Sequence, residues 1–121
     1  MRLVIAITHV LHIWMRLRLQ SFSACWQYCH PVVDQGPKTC EAADWIQNFA
    51  RTEYLPNVHC LPRSLALTRF LRLRGHNAVT RLGVSHDKPR RSHAWVEVDG
   101  HVVGEVHPPS ATFKPLPPPT L

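Results

Sequence analysis

Apolar positions recur at helical spacing in three stretches and at strand spacing in a later one. Residues 2–20 read as a first helix, carrying the apolar run Leu3-Val4-Ile5-Ala6-Ile7 onward to Trp14. Glu41 to Arg51 reads as a second, with Ala42, Trp45, Ile46 and Phe49 on one stripe, as a core-facing helix requires. A third is bounded at both ends. Pro62 sits in its first turn, where a missing N–H costs nothing, and Gly75 follows its last turn as a C-terminal cap. Cys60, Ser64, Leu67 and Leu71 fall at i, i+4, i+7 and i+11, so one face of this helix carries all four.

After Gly75 the period shortens. Ala78 to Val84 and His93 to Val98 read as strands joined by a polar loop, Ser85 to Arg91. Asp99-Gly100 reads as a turn and His101 to Val106 as the returning strand. Ser21 to Thr39 mixes Pro, Gly, Cys and aromatic residues and reads as an irregular connection. From Pro108 the tail holds six of the eleven prolines, and an extended, disordered end is expected. The organisation predicted is therefore an N-terminal helix and connection over 1–40, a core over 41–107 and a proline-rich tail over 108–121.

At 121 residues the chain has room for one modest core. Fourteen Lys and Arg against eight Asp and Glu give +6, which favours anionic partners such as an acidic peptide, nucleic acid or an anionic membrane. The four cysteines, Cys25, Cys29, Cys40 and Cys60, match no small secreted disulfide scaffold, so reduced thiols in a cytoplasmic protein are expected. The first apolar run and Phe22-Ser23-Ala24-Cys25 resemble a signal peptide and a lipoprotein cleavage site. His9 and His12 interrupt that run, however, and Arg16 and Arg18 stand where a neutral stretch belongs. It is also too short to span a bilayer. An amphipathic helix resting on the core, a partner or a membrane surface is the expectation instead.

The candidate chemistry lies at Cys60 and His93. A helix start presents N–H groups without intrahelical partners and a partial positive charge, which favour a thiolate. The same groups can hold an oxyanion during acyl transfer. A histidine at the start of a neighbouring strand can take the thiol proton and later protonate a leaving amine. A third group usually orients such a base, and Asp87, Glu97, Asp99 and Glu105 are the nearby candidates. By strand rise Asp99 lies roughly 20 Å from His93 and Glu97 about 13 Å, both too far. Glu105 depends on the hairpin. A two-residue loop pairs Val98 with His101 and turns Glu105 away from His93; a three-residue loop pairs Glu97 with His101 and puts Glu105 opposite His93. The catalytic reading therefore predicts the three-residue loop, with Asp87 the weaker alternative.

Four blocks carry a family resemblance: Cys60-Leu-Pro-Arg-Ser-Leu-Ala-Leu67, Leu71-Arg-Leu-Arg-Gly75, Arg81-Leu-Gly-Val84 and His93-Ala-Trp-Val-Glu-Val-Asp-Gly100. In order and spacing they resemble the transglutaminase-like leader peptidases of lasso-peptide biosynthesis, from about Trp45 to Val106. The resemblance implies an α+β, papain/transglutaminase-like fold, with the cysteine helix packed on a small antiparallel sheet. It implies Cys60 as nucleophile, His93 as base, and a third residue, usually aspartate, at the position of Glu105. It implies no cofactor. The expected substrate is a ribosomally made precursor peptide, whose leader is removed before an ATP-dependent macrolactam synthetase closes the ring. About forty residues precede the matching blocks, so leader recognition is expected from a separate protein acting in trans. The apolar face of residues 3–14, or the arginines of the Cys60 helix, could dock it.

Three rival readings stay open on the residues alone. Cys25-x-x-x-Cys29-His30 and His101-x-x-x-Glu105-x-His107 contain zinc-type ligands, though at no familiar spacing. Arg63, Arg69, Arg72 and Arg74 could meet nucleic acid, but no binding motif accompanies them, and no specific nucleic-acid partner is expected. The same Cys and His could also transfer the acyl group to an amine rather than to water. Tyr54 and Asn57 stand upstream of Cys60, where a loop role is expected for each and an oxyanion contact is the alternative.

Overall fold

The computed structural model describes residues 2–33, 42–54, 60–85, 92–104 and 113–116. It is an α+β fold: helices α1 (Arg2–Leu19), α2 (Phe22–Cys29), α3 (Ala42–Ala50) with a 3₁₀ turn over Arg51–Tyr54, and α4 (Cys60–Arg72), then strands β1 (Ala78–Ser85), β2 (Ser92–Val98), β3 (His101–Val103) and β4 (Phe113–Pro115). The strands form one antiparallel sheet in the order β3-β2-β1-β4.

Helix α4 is the axis of the fold. Eight of its residues, Pro62, Ser64 to Thr68, Phe70 and Leu71, are buried, so it is covered on several sides. It ends as its sequence requires. Gly75 takes φ +88°, its N–H bonds the Arg72 carbonyl at 3.2 Å, and the His76 N–H bonds the Leu71 carbonyl at 3.0 Å. Those are the paired bonds of a left-handed C-terminal cap. Phe70 meets His9, Trp45 and Phe49, with ring centroids at 5.5, 4.5 and 5.3 Å. Toward the sheet, the buried hydroxyls of Thr68 and Thr80 bond each other at 2.7 Å, so neither is left unsatisfied.

Residues 22–29, read as part of an irregular connection, form a helix. The Ser21 hydroxyl accepts the Ala24 N–H at 3.1 Å as an N-cap, and Cys25, Trp26 and Cys29 bury one face. Cys and the aromatics are weak helix formers, so tertiary burial and the cap decide the conformation here. The segment 113–115, read as disordered, adds to the sheet through Gly83↔Pro115, Val84↔Lys114 and Ser85↔Phe113. Residues 34–41, with Cys40, and the rest of the proline-rich tail lie outside the described residues.

Helix α1 rests on the core as expected, burying Ala6, Val10 and Ile13. Its opposite face carries Val4, Leu11, Met15 and Leu19, all exposed. The described residues contain no helix long and apolar enough to cross a membrane.

Of the arginines at 63, 69, 72 and 74, the last three are engaged within the fold. Arg69 donates to the Tyr28 carbonyl at 2.6 Å, Arg72 to the carbonyls of Pro31 and Ala78, and Arg74 to that of Phe70. Tyr28 is held between two guanidiniums, Arg16 at 3.6 Å and Arg69 at 3.8 Å from its ring centroid. These cations tie the helices together rather than forming a free basic patch.

His30 closes the outer edge of β1. Its Nδ1 lies 2.8 Å from the Trp26 carbonyl and its Nε2 accepts the Thr80 N–H at 3.1 Å, an arrangement only neutral imidazole can make. Arg72 covers the same edge at Ala78, so a strand edge that could pair with another chain is blocked. Burial, with a smaller push from the Arg72 charge and against the Trp26 hydrogen bond, lowers the His30 pKa below 6.5. Burial first, then neighbouring cations, lowers His9 and His12 as well. Between the lowered folded values and 6.5 the unfolded chain binds more protons. Stability is thus complete above that window and falls as pH drops through it. Urea midpoints are expected to decrease from pH 7.5 to pH 5, and His30→Ala should flatten that dependence while lowering the midpoint at both ends.

Candidate functional site

Cys60 is the first residue of α4, and the local sequence explains why the helix starts there. Pro62 fits a first turn and leaves no orphan N–H of its own. The half-buried Cys60 side chain reaches the sheet: its Sγ accepts the Ala94 backbone N–H at 3.3 Å. A donor aimed at sulfur stabilises negative charge on it. The thiol is therefore anchored one residue along β2 from His93.

His93, the second residue of β2, lies opposite Gly83 of β1. Two rings flank its imidazole at shallow angles: Phe113 at 5.0 Å and 31°, Trp95 at 6.0 Å and 24°. Gly83 makes room for this arrangement, since a Cβ there would sit 2.9 Å from the Trp95 ring and 3.0 Å from the Lys114 carbonyl. Cys60 and His93 face one open cleft, walled by Leu61, Leu82, Ala94 and Leu116. The site thus joins a helix start, two strands and the C-terminal segment. It has the parts for acyl chemistry on a thiol: a sulfur at a helix N-terminus, an imidazole in the same cleft and an entrance for substrate.

The hairpin differs from expectation. Asp99 and Gly100 take φ +51° and +82°, and Val98 pairs with His101, Glu97 with Val102 and Val96 with Val103. This is the two-residue loop, with both central residues left-handed. Asp-Gly suits that turn so well that local chemistry overrides the register predicted from the catalytic argument. β3 ends at Val103, and Gly104 follows it with φ +74°. With Val98 opposite His101, strand register does not place Glu105 opposite His93, and only the family resemblance points to it. Glu105, Asp87 and Asn57 all lie outside the described residues.

Glu97 is engaged elsewhere. It accepts the Trp95 indole N–H at 3.0 Å and lies 3.9 Å from Arg81 Nε. Asp99 is at the exposed turn. Both placements agree with their exclusion as partners of His93.

The Cys25, Cys29 and His30 group does not open toward a metal. Both ring nitrogens of His30 are committed, and the two thiols are fully buried, with burial raising each above the usual thiol range. Among the described residues no three His, Cys, Asp or Glu side chains gather at metal-binding distances. His101 is exposed on β3, while Glu105 and His107 lie outside the described residues.

Sequence reasoning missed the Ala94 N–H, Phe113 and Leu116. A backbone donor leaves no mark in a sequence. The other two were legible only as isolated large apolar residues in a proline-rich run.

The transglutaminase-like superfamily model matches residues 4–117, and the chain belongs to that superfamily. No curated protein and no solved structure gives a significant match. The superfamily includes cysteine peptidases and acyltransferases, which fits a thiol and an imidazole meeting at one cleft.

Proposed function

We propose that this transglutaminase-like chain is a cysteine peptidase that removes the leader from a ribosomally made lasso-peptide precursor. The observation that carries the chemistry is the Cys60 sulfur, held by the Ala94 N–H at 3.3 Å in the cleft that also contains His93. The four sequence blocks around these residues support the substrate class by resemblance.

In the proposed reaction Cys60 transfers its proton to His93 and its sulfur attacks the scissile carbonyl. The first-turn N–H groups of α4 stabilise the oxyanion. Collapse breaks the C–N bond, His93 protonates the departing amine, and a thioester to Cys60 remains. Water, deprotonated by His93, then cleaves the thioester and regenerates the thiol. Glu105 takes the orienting role by resemblance, in place of the usual aspartate, with Asp87 as the alternative. The chemistry calls for no cofactor.

Leader recognition is assigned to a separate protein acting in trans, and the synthetase follows in the sequence of steps. The exposed outer face of α1, with Val4, Leu11, Met15 and Leu19, suits an apolar contact with that recognition protein. Arg69, Arg72 and Arg74 do not, being spent on internal carbonyls.

Incubation of the precursor with this chain and the recognition protein, followed by mass spectrometry, tests the proposal. Wild type should release the leader. Glu105→Gln should slow release by roughly 10²-fold or more if Glu105 orients His93, with Asp87→Asn near wild type. The reverse pattern would move the orienting role to Asp87.

A further inference from the structure

The cleft at Cys60 is walled mainly by apolar side chains, with Ser92 and His93 as the polar members of its wall among the described residues. Leu61 follows the nucleophile on α4, Leu82 projects from β1, Ala94 belongs to β2, and Leu116 is the residue after β4. Four elements thus bring apolar side chains to one opening. His93 is the sole ionisable lining group among the described residues besides the thiol itself. Leu116 is fixed there by its backbone, since its N–H donates to the Leu82 carbonyl at 2.7 Å, yet its side chain stays 39% exposed. Apolar side chains held at the mouth of an open cleft suit an apolar ligand.

The geometry points to a subsite at Leu61, Leu82, Ala94 and Leu116 for an uncharged, apolar side chain on the residue whose carbonyl Cys60 attacks. The inference rests on Cys60 being the nucleophile. The side chain of that residue branches one bond from the attacked carbon, so the walls beside the sulfur are the first surfaces it meets. A carboxylate or ammonium placed against these leucines would lose hydration, and the described wall offers it no charged group beyond Cys60 and His93 themselves. The C-terminal segment, through Leu116, thereby acts as one wall of the specificity site.

Alkylation of Cys60 tests this without the precursor. The probes are iodoacetamide and three peptidyl chloromethyl ketones that differ only in the side chain beside the ketone: Leu, Asp or Lys. The Cys60 sulfur attacks the chloromethyl carbon, a C–S bond forms, chloride leaves and the thiol proton passes to solvent. Labelling of each cysteine is followed by peptide mapping, with the buried Cys25 and Cys29 as internal references.

The leucine reagent is expected to label Cys60 about tenfold faster than either charged one, the scale of discrimination an apolar pocket supplies. The comparison with Asp is the sharper one, because a chain of net charge +6 attracts the acidic reagent and only the cleft opposes it. In Leu116→Lys the leucine-to-aspartate ratio should fall by about two- to fivefold, the size of an exposed ion pair. Equal rates for all three ketones, with iodoacetamide labelling Cys60 normally, would overturn the subsite and leave the nucleophile in place. Failure of iodoacetamide to label Cys60 in the folded protein would overturn the nucleophile and the subsite with it.

Discussion

Cys60→Ala is expected to reduce leader release by about 10³-fold or more, and His93→Ala by a similar factor. Each loss has its own physical cause. Without sulfur no thioester forms. Without the imidazole the thiol keeps its proton and the departing amine has no acid. The two act in one step, so their effects should not add: the double variant should be about as slow as the worse single one. Additive losses would mean that Cys60 and His93 serve separate steps. The single-turnover rate of precursor cleavage for the four proteins checks this, with circular dichroism to confirm that each is folded. Neither residue is among the buried core groups, so neither change should unfold the chain.

Phe70→Ala should have the largest effect on stability. The ring is 2% exposed and sits where α1, α3 and α4 meet, touching His9, Trp45 and Phe49. The Arg74 guanidinium covers it at 3.4 Å from the ring centroid. Truncation loses the transfer energy of the ring and leaves a cavity that four partners cannot all close, at a cost of about 3–5 kcal/mol. Against a typical total of about 5–15 kcal/mol this is a large share. The melting temperature should fall by about 10 °C or more. Leu73→Ala, at an exposed position three residues on, should change stability by no more than about 0.5 kcal/mol. Equal melting temperatures for the two variants would show that the three-helix junction is not the core of the fold.

The parts of this fold that were legible in the sequence are those whose local signals agree with their tertiary setting. Pro62 and Gly75 bracket α4 because each has a conformational reason to be there, and the described helix obeys both. The β1 and β2 strands followed from alternation and from the Asp99-Gly100 turn. Helix α2 was hidden because Cys25, Trp26 and Cys29 favour a helix only once the core buries them. Strand β4 was hidden by its prolines: Pro115 can join the sheet because β4 is an edge strand, and nothing local announces the partner edge at Gly83.

The candidate site divides in the same way. Cys60 and His93 stood out as residue types suited to thiol chemistry, and the described fold brings them to one cleft. The choice of Glu105 needed a register, and register is set by turn geometry over which the catalytic argument has no influence. Asp99 and Gly100 both adopt positive φ, which fixes the two-residue loop and the pairing of Val98 with His101.

Precursor cleavage in water enriched in oxygen-18 shows both whether the peptide bond is cut and what accepts the acyl group. Wild type, with the recognition protein, is expected to release a leader carrying one oxygen-18 in its new carboxylate, and Cys60→Ala to release none. Undiminished release by Cys60→Ala would rule out the Cys60 thioester, and a leader joined to an added amine in place of the labelled oxygen would rule out hydrolysis.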